Sequence, residues 1–467
     1  MPEDNEDFRP GLYECFVKAL VKPVRERYFE EDELIEIFDY AGDRGDDYVR
    51  WEVLFCGERL YPDSDGLRVR RAILYRETMP GTDIAGRYLA DNQDSGSLLW
   101  RIERAVEEST DRAEAERRLD ELLISEDRFG DEEIIRIVKL AARTGCYEWL
   151  MARADELRAR ASYLPVLLYE SGMAFMDALD YERAAVYVEE LTRLCPFESA
   201  YWALYSALMV RLKRIPEARE AFEFAAGLEI QDPETAVCLG GAAIDAMPDL
   251  VPVAIEKLEA AVEAEPDYFR SSCTLAGLYV SRGRNRDAER VLRAYAERCP
   301  NTRDTVSAAI ELHLPCFTDI FETVMIATGG GAFSYGEVLR MVEGLIEDCR
   351  YEDALRLTDC YAGLIGENDD LRAMKAECCF RAGDFEGVCG LFAGPEHVME
   401  ILNGLAAGPR VAYFYLRSLH ETGRAEEELI FGIMAGIVAR DLYERADEGA
   451  RFFLRELMDN SREEGGQ

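Results

Sequence analysis

One stretch of this chain has the residue types of a phosphate site. In TGGGAFSYG, Thr328 to Gly336, the apolar run TVMIAT leads into three glycines and a helical pattern follows. A strand, a glycine loop and a helix in that order would point backbone N–H groups at an oxyanion. The other parts are missing. There is no GxxxxGK[ST], no nearby lysine, and Ser334 stands where GxGxxG needs its third glycine.

Other residues that could do chemistry fare similarly. Cys195-Pro196 and Cys299-Pro300 recur at the ends of helical patterns, where partial negative charge disfavours a thiolate. Thirteen cysteines include no CxxC pair, so packed, reduced thiols are expected rather than a disulfide frame or zinc site, the adjacent Cys378-Cys379 included. His313, His397 and His420 are far apart and have no second ligand at metal spacing. Carboxylates are too abundant to nominate a glycosidase pair, and no GxSxG occurs. The expectation is no catalytic residue, no metal, no cofactor and no enzyme.

Charge narrows the partners. The 467 residues carry a net charge of −39, and only six of the 54 basic residues are lysine. Such a surface repels phosphate backbones and anionic membranes, so nucleic acid and membrane are excluded as expected partners and a basic peptide or protein is favoured. With 48% hydrophobic and 31% charged residues, the composition is that of a folded chain. The acidic start MPEDNEDFRPG lacks a secretory signal pattern, and the longest uncharged run, Thr323 to Gly336, is too short and glycine-rich to span a membrane. A cytoplasmic location is expected.

The elements that would position any site are helices. Periodicity is helical nearly throughout, in pairs of segments joined by short turns. From residue 165 to 302 the pairs repeat. Ala184, Ala218, Ala254 and Ala288 are separated by 34, 36 and 34 residues, and Pro266 and Pro300 by 34. Gly172, Trp202, Leu275, Tyr279 and Gly283 fall in matching register. Small residues let paired helices approach, large ones fill the holes opposite, and proline stops the second helix. Weaker copies follow at Ala354 and Val388, again 34 apart, and at Leu416 to Phe431. Another covers Glu33 to Ser64, with Gly45 in its turn and Arg50 where a small residue is expected.

In these residues the chain resembles the tetratricopeptide repeat family. The resemblance implies an all-α fold, an α-solenoid in which antiparallel helix pairs form a superhelix. It divides the chain into an acidic segment and capping helix over 1–30, a repeat block over 31–328, a glycine joint at 329–333, and further repeats with a cap and a disordered tail over 334–467. It also implies a protein-interaction scaffold whose first helices hold a peptide or protein on their concave face. The first-helix residues not needed for packing are Val166, Tyr169, Met173, Met176 and Asp177, then Ala203, Ala207, Val210 and Arg211. Tyr169, Met173, Met176, Asp177, Ala203, Ala207 and Arg211 are the candidate partner-binding residues. One branch of the family grips a terminal carboxylate with lysine and asparagine, but Tyr169 and Met173 stand at those positions here.

The repeat register also reinterprets the glycines. One repeat length beyond Ala288 lies within TDIFETVMIAT, which is therefore expected to be a helix with Asp319 and Glu322 as its capping box. Gly329 then ends that helix, Ser334 and Glu337 cap the next, and Phe333 and Val338 form a hydrophobic staple. The alternative function is a nucleotide- or small-ligand-dependent enzyme or regulator built on Gly329 to Gly331.

Overall fold

The computed structural model describes residues 9–21, 28–43, 45–91, 97–109, 111–230, 232–299, 303–404, 407–443, 446 and 448–464. The first residues of the acidic segment, the Pro300 repeat end and the last three residues of the tail lie outside them. Among the described residues the protein is all-α, and the one extended pairing is an isolated bridge between Phe129 and Ala161. It divides into two units, Met1–Ser271 and Ser272–Gln467.

The first unit begins with α1 (Arg9–Val21), α2 (Glu31–Asp43), α3 (Asp47–Leu60), α4 (Asp65–Thr78) and α5 (Ile84–Asp91). It continues through α6 (Leu98–Glu108), α7 (Arg112–Ser125), α8 (Asp131–Arg143), α9 (Tyr147–Ala152) and α10 (Ala154–Arg160). Regular pairs then follow: α11 (Leu164–Asp177) with α12 (Tyr181–Leu194), α13 (Ser199–Arg211) with α14 (Ile215–Gly227), and α15 (Pro233–Ala246) with α16 (Val251–Ala264). Helix α17 (Phe269–Ser281) contains the division.

The repeat alanines lie on the buried faces of their helices. Ala184, Ala218, Ala254 and Ala288 are all fully buried. A Cβ on Gly172 of α11 would lie 3.0 Å from a Val188 methyl of α12, so the Val188 side chain would have to shift to admit one. Asp180 and Asp232 start their helices by accepting the N–H of Arg183 and Thr235.

Several turns inside pairs use one device, though the turn between α15 and α16 does not. A residue takes left-handed backbone geometry, and the next N–H returns to the carbonyl five residues earlier. Asp180 N–H donates to Phe175 at 2.9 Å and Arg214 N–H to Met209 at 2.9 Å. The left-handed residues Gly145, Leu179 and Lys213 keep the 34-residue spacing, as do Cys349 and Gly383.

The second unit holds α18 (Asn285–Arg298), α19 (Asp304–Glu311), α20 (Phe317–Ala327), α21 (Tyr335–Glu347), α22 (Tyr351–Ile365) and α23 (Asp369–Ala382). Its remaining helices are α24 (Phe385–Gly390), α25 (Pro395–Gly404), α26 (Gly408–Glu421), α27 (Ala425–Tyr443) and α28 (Glu448–Glu464). The run before the glycines is helical, as its periodicity requires. Its start differs from expectation: Cys316 is the N-cap without a side-chain bond, and Asp319 lies inside the helix. Burial of Phe317 extends the helix beyond the acidic pair, and Asp319 pairs instead with Arg293 at 2.7 Å.

At the other end Gly329 and Gly330 have φ of 63° and 85°. Gly330 N–H donates to Met325 at 2.8 Å and Gly329 N–H to Ile326 at 3.2 Å, closing a Schellman motif. Ser334 and Glu337 then form a complete capping box, with Ser334 N–H donating to the Glu337 carboxylate at 2.7 Å. Arg303 adds a 2.7 Å ion pair to Glu337. The helix start is thus occupied by the chain's own carboxylate, and Phe333 and Val338 beside it are buried.

Candidate functional site in the first unit

The faces of α2, α3, α4, α6 and α8 enclose a cavity of about 510 Å³. Six cationic side chains line it, Arg50, Arg70, Arg76, Arg136, Lys139 and Arg143, against four carboxylates, Asp39, Glu77, Glu103 and Glu132. Helix α8 supplies most of one wall, because Glu132, Ile135, Arg136, Lys139, Leu140 and Arg143 recur at helical spacing on one face.

Most of these charges are built into a relay. Arg70, only 4% exposed, grips Asp39 through Nε at 2.9 Å and Nη2 at 2.5 Å and reaches Glu132 at 3.1 Å. Arg136 bridges Glu132 at 2.8 Å and Glu103 at 2.7 Å, and Glu103 also accepts from Arg76 at 2.6 Å. Burial opposes the charge on Arg70, but Asp39 and Glu132 outweigh it and hold its pKa above the ordinary arginine value. Arg50, the large residue at an expected small position, solves its burial by lying 4.7 Å over the Phe38 ring and pairing with Glu77 at 2.7 Å.

Lys139 is different. It is exposed at the cavity wall, and no ion pair holds it among the described residues. Its charge acts on Glu170 of α11: burial pushes that carboxyl up, and Lys139 partly offsets the rise. The cavity therefore borders the first-helix face of the regular repeats, where α11 packs on α8.

On that face Tyr169 and Asp177 are exposed, and Met173 and Met176 are half-buried. The Tyr169 ring lies 6.2 Å from Tyr201 of α13, whose hydroxyl burial pushes up to about 12. Ala207 is half-buried, and Arg211 is exposed and 3.6 Å from Asp245 of α15. Val166 and Val210 are half-buried. Ala203 departs from the expected set. It is fully buried, because at its place on α13 the neighbouring helices cover it. The cavity was missed in the sequence, although the spacing of Arg136, Lys139 and Arg143 on α8 was its visible trace.

The remaining candidates are structural. Cys378 and Cys379 are buried, and burial pushes their thiols up to about 12 and about 11. His397 lies 3.3 Å from Asp369 and His420 2.8 Å from Glu428. Among the described residues no group of three or more potential ligands could hold a metal ion, and no helix is long and apolar enough to cross a membrane.

Serial helix pairs with small residues at their crossings and a recurrent left-handed turn define a helical-repeat protein of the tetratricopeptide type. No family model matches the chain, and no curated protein matches it by sequence. Solved structures similar to it include a human IFIT1 dimer with m7Gppp-AAAA, at 12% identity and a TM-score of 0.37, covering 90% of this chain and 96% of that one. The maize pentatricopeptide repeat protein PPR10 is 13% identical with a TM-score of 0.40, over 98% of this chain and 73% of that one. The P58(IPK) TPR domain is 12% identical with a TM-score of 0.21, over 93% and 99%. The exclusion of nucleic acid drawn from net charge does not stand, because six cationic side chains of this acidic chain gather in one cavity. Net charge averages over the surface and says nothing of a local cationic cavity.

Proposed function

We propose that this helical-repeat chain is a binding scaffold without catalytic chemistry of its own. It holds a segment of another protein across α8, α11 and α13, with an anionic group of that segment in the cavity. The observation that carries this reading is the lining of six cations against four carboxylates in a chain whose net charge is −39. Lys139 and Arg143 supply the charge at the exposed wall, and Tyr169, Met173 and Met176 supply adaptable apolar contact beside it. The acidic remainder of the surface favours basic residues flanking the anchor. The nucleotide reading of Gly329 to Gly331 loses support, since Glu337 already takes the N–H that a phosphate would need.

The test uses the full chain and fluorescence anisotropy with three probes: a phosphoserine peptide library flanked by lysines, the same library without phosphate, and a single-stranded RNA oligonucleotide. Peptide binding that needs the anionic group, and falls at least about tenfold in Lys139→Glu with Arg143→Glu, supports the reading. RNA binding lost in the same variant replaces the protein partner with nucleic acid. No binding by any probe rejects the cavity as a site.

A further inference from the structure

Helix α27 buries one face and leaves the other open. Phe431, Ala435 and Ala439, spaced by four, are fully buried, and α27 packs on α25, α26 and α28. On the opposite side Leu429, Ile430, Ile433, Met434 and Ile437 are all exposed, Ile430 at 57% and Ile437 at 59%. No other helix among the described residues exposes five large apolar side chains. Ile430, Ile433 and Ile437 have the spacing of a seam between two helices. Ile430 and Met434 also line a depression of about 530 Å³ shared with Pro395, His397 and the carboxylates Glu396 and Glu400.

The two ends of this stripe carry opposite charges in matching register. Glu426 lies seven residues before Ile433 and Arg440 seven after it, which sets both on the same face. Both are exposed, and neither has an ion-pair partner among the described residues. Glu427 and Glu428 add further acid at the first end, and the exposed Asp441 follows Arg440 at the other.

We propose that α27 docks on α27 of a second copy of this chain, antiparallel, about a two-fold axis at Ile433. Each Glu426 then faces Arg440 of the other copy, and each Ile437 lies over Leu429 of the other copy. A parallel pairing would set the three glutamates of one helix against the same three of its neighbour, so the charge pattern selects the antiparallel arrangement. A two-fold contact is self-complementary, as this stripe is. Because both copies are strongly acidic overall, salt strengthens the association by screening their long-range repulsion.

The test is sedimentation equilibrium of the full chain from about 1 to 100 µM, at low and physiological salt. The expected result is a monomer–dimer equilibrium shifted to dimer by concentration and by salt. Ile433→Glu, at an exposed position, gives monomer throughout with an unchanged far-UV circular dichroism spectrum. Glu426→Arg or Arg440→Glu alone weakens the dimer about tenfold, and the two together restore it. A wild-type chain that stays monomeric at the highest concentration, or a dimer that survives Ile433→Glu, overturns the proposal. A double variant as weak as the single ones overturns the antiparallel register.

Discussion

Glu103 and Arg136 meet at 2.7 Å with the Glu103 side chain almost wholly out of water. Glu103 is 3% exposed, and Arg76 takes its second oxygen, so both oxygens are paired with guanidiniums. Glu103→Gln removes the charge and leaves two guanidiniums facing a neutral amide. The expected loss is about 3 kcal/mol of stability in urea unfolding of the first unit. A variant within about 0.5 kcal/mol of wild type would show that the relay is solvated rather than structural.

Ala184 is fully buried in α12, the helix that packs on α11. Ala184→Arg is expected to lower stability by about 3 kcal/mol, from overpacking and a charge forced into the interface. Ala184→Gly should cost only about 1 kcal/mol, from helix propensity. Equal melting temperatures for the wild type and Ala184→Arg would refute the helix-pair register.

The glycine stretch makes two separate demands. Ser334→Ala removes half of the capping box and is expected to cost about 1 kcal/mol. Gly330→Ala places a Cβ on a residue at φ 85° and costs about 1 to 2 kcal/mol, although nothing lies within 4 Å of the new atom. Thermal melts of both variants check the figures. A Gly330→Ala melt unchanged from wild type would mean that the turn relaxes to another geometry.

Two carboxylates give opposite pH responses. Burial works against the charge on Asp353, but bonds from Arg356 and Arg350 outweigh it and hold the carboxyl below its ordinary value of 3.8. A lowered folded pKa contributes stability above the unfolded value and loses it as pH falls through the folded one. Asp353→Asn should therefore lower the melting temperature at pH 7, with a difference that fades below pH 3.8. Glu170 is raised from 4.5 by burial, so its ionised form penalises the fold as pH rises through the folded value. Glu170→Gln should raise the melting temperature at pH 7 and have no effect once pH is well below 4.5. Melts across pH 3 to 7 read both signs.

Leu179 holds its turn at φ 59° without the freedom of glycine. Leu179→Gly relieves left-handed strain and gives back part of that gain in unfolded-chain entropy, for a net stabilisation of about 0.5 kcal/mol. Its side chain is exposed, so little packing is lost. Chemical denaturation of the variant should show the higher midpoint.

What the sequence made legible was whatever repeats. The buried alanines, the turn at Gly45 and the helix before Gly329 all follow from one spacing applied along the chain. The cavity did not repeat and so left no register to follow. Its cations come from α3, α4 and α8, which are distant in sequence, and each arginine reads locally as an ordinary helix-surface charge. Asp319 was misplaced for a related reason: the capping pattern is local, while the start of α20 is set by the burial of Phe317. Ala203 shows the limit of a family register, which separates the faces of a helix but not how fully its neighbours cover each position.

The recurrent left-handed turn makes chain length quantised here. Gly145, Leu179 and Lys213 occupy equivalent points at intervals of 34 residues. Excising residues 180–213 joins Leu179 directly to Arg214, so one turn is completed with the second half of the next. The N–H of Arg214 then meets the carbonyl of Phe175 in place of that of Met209. Loss or gain of a whole unit leaves every joint chemically intact, whereas removal of one residue rotates every later helix by about 100°.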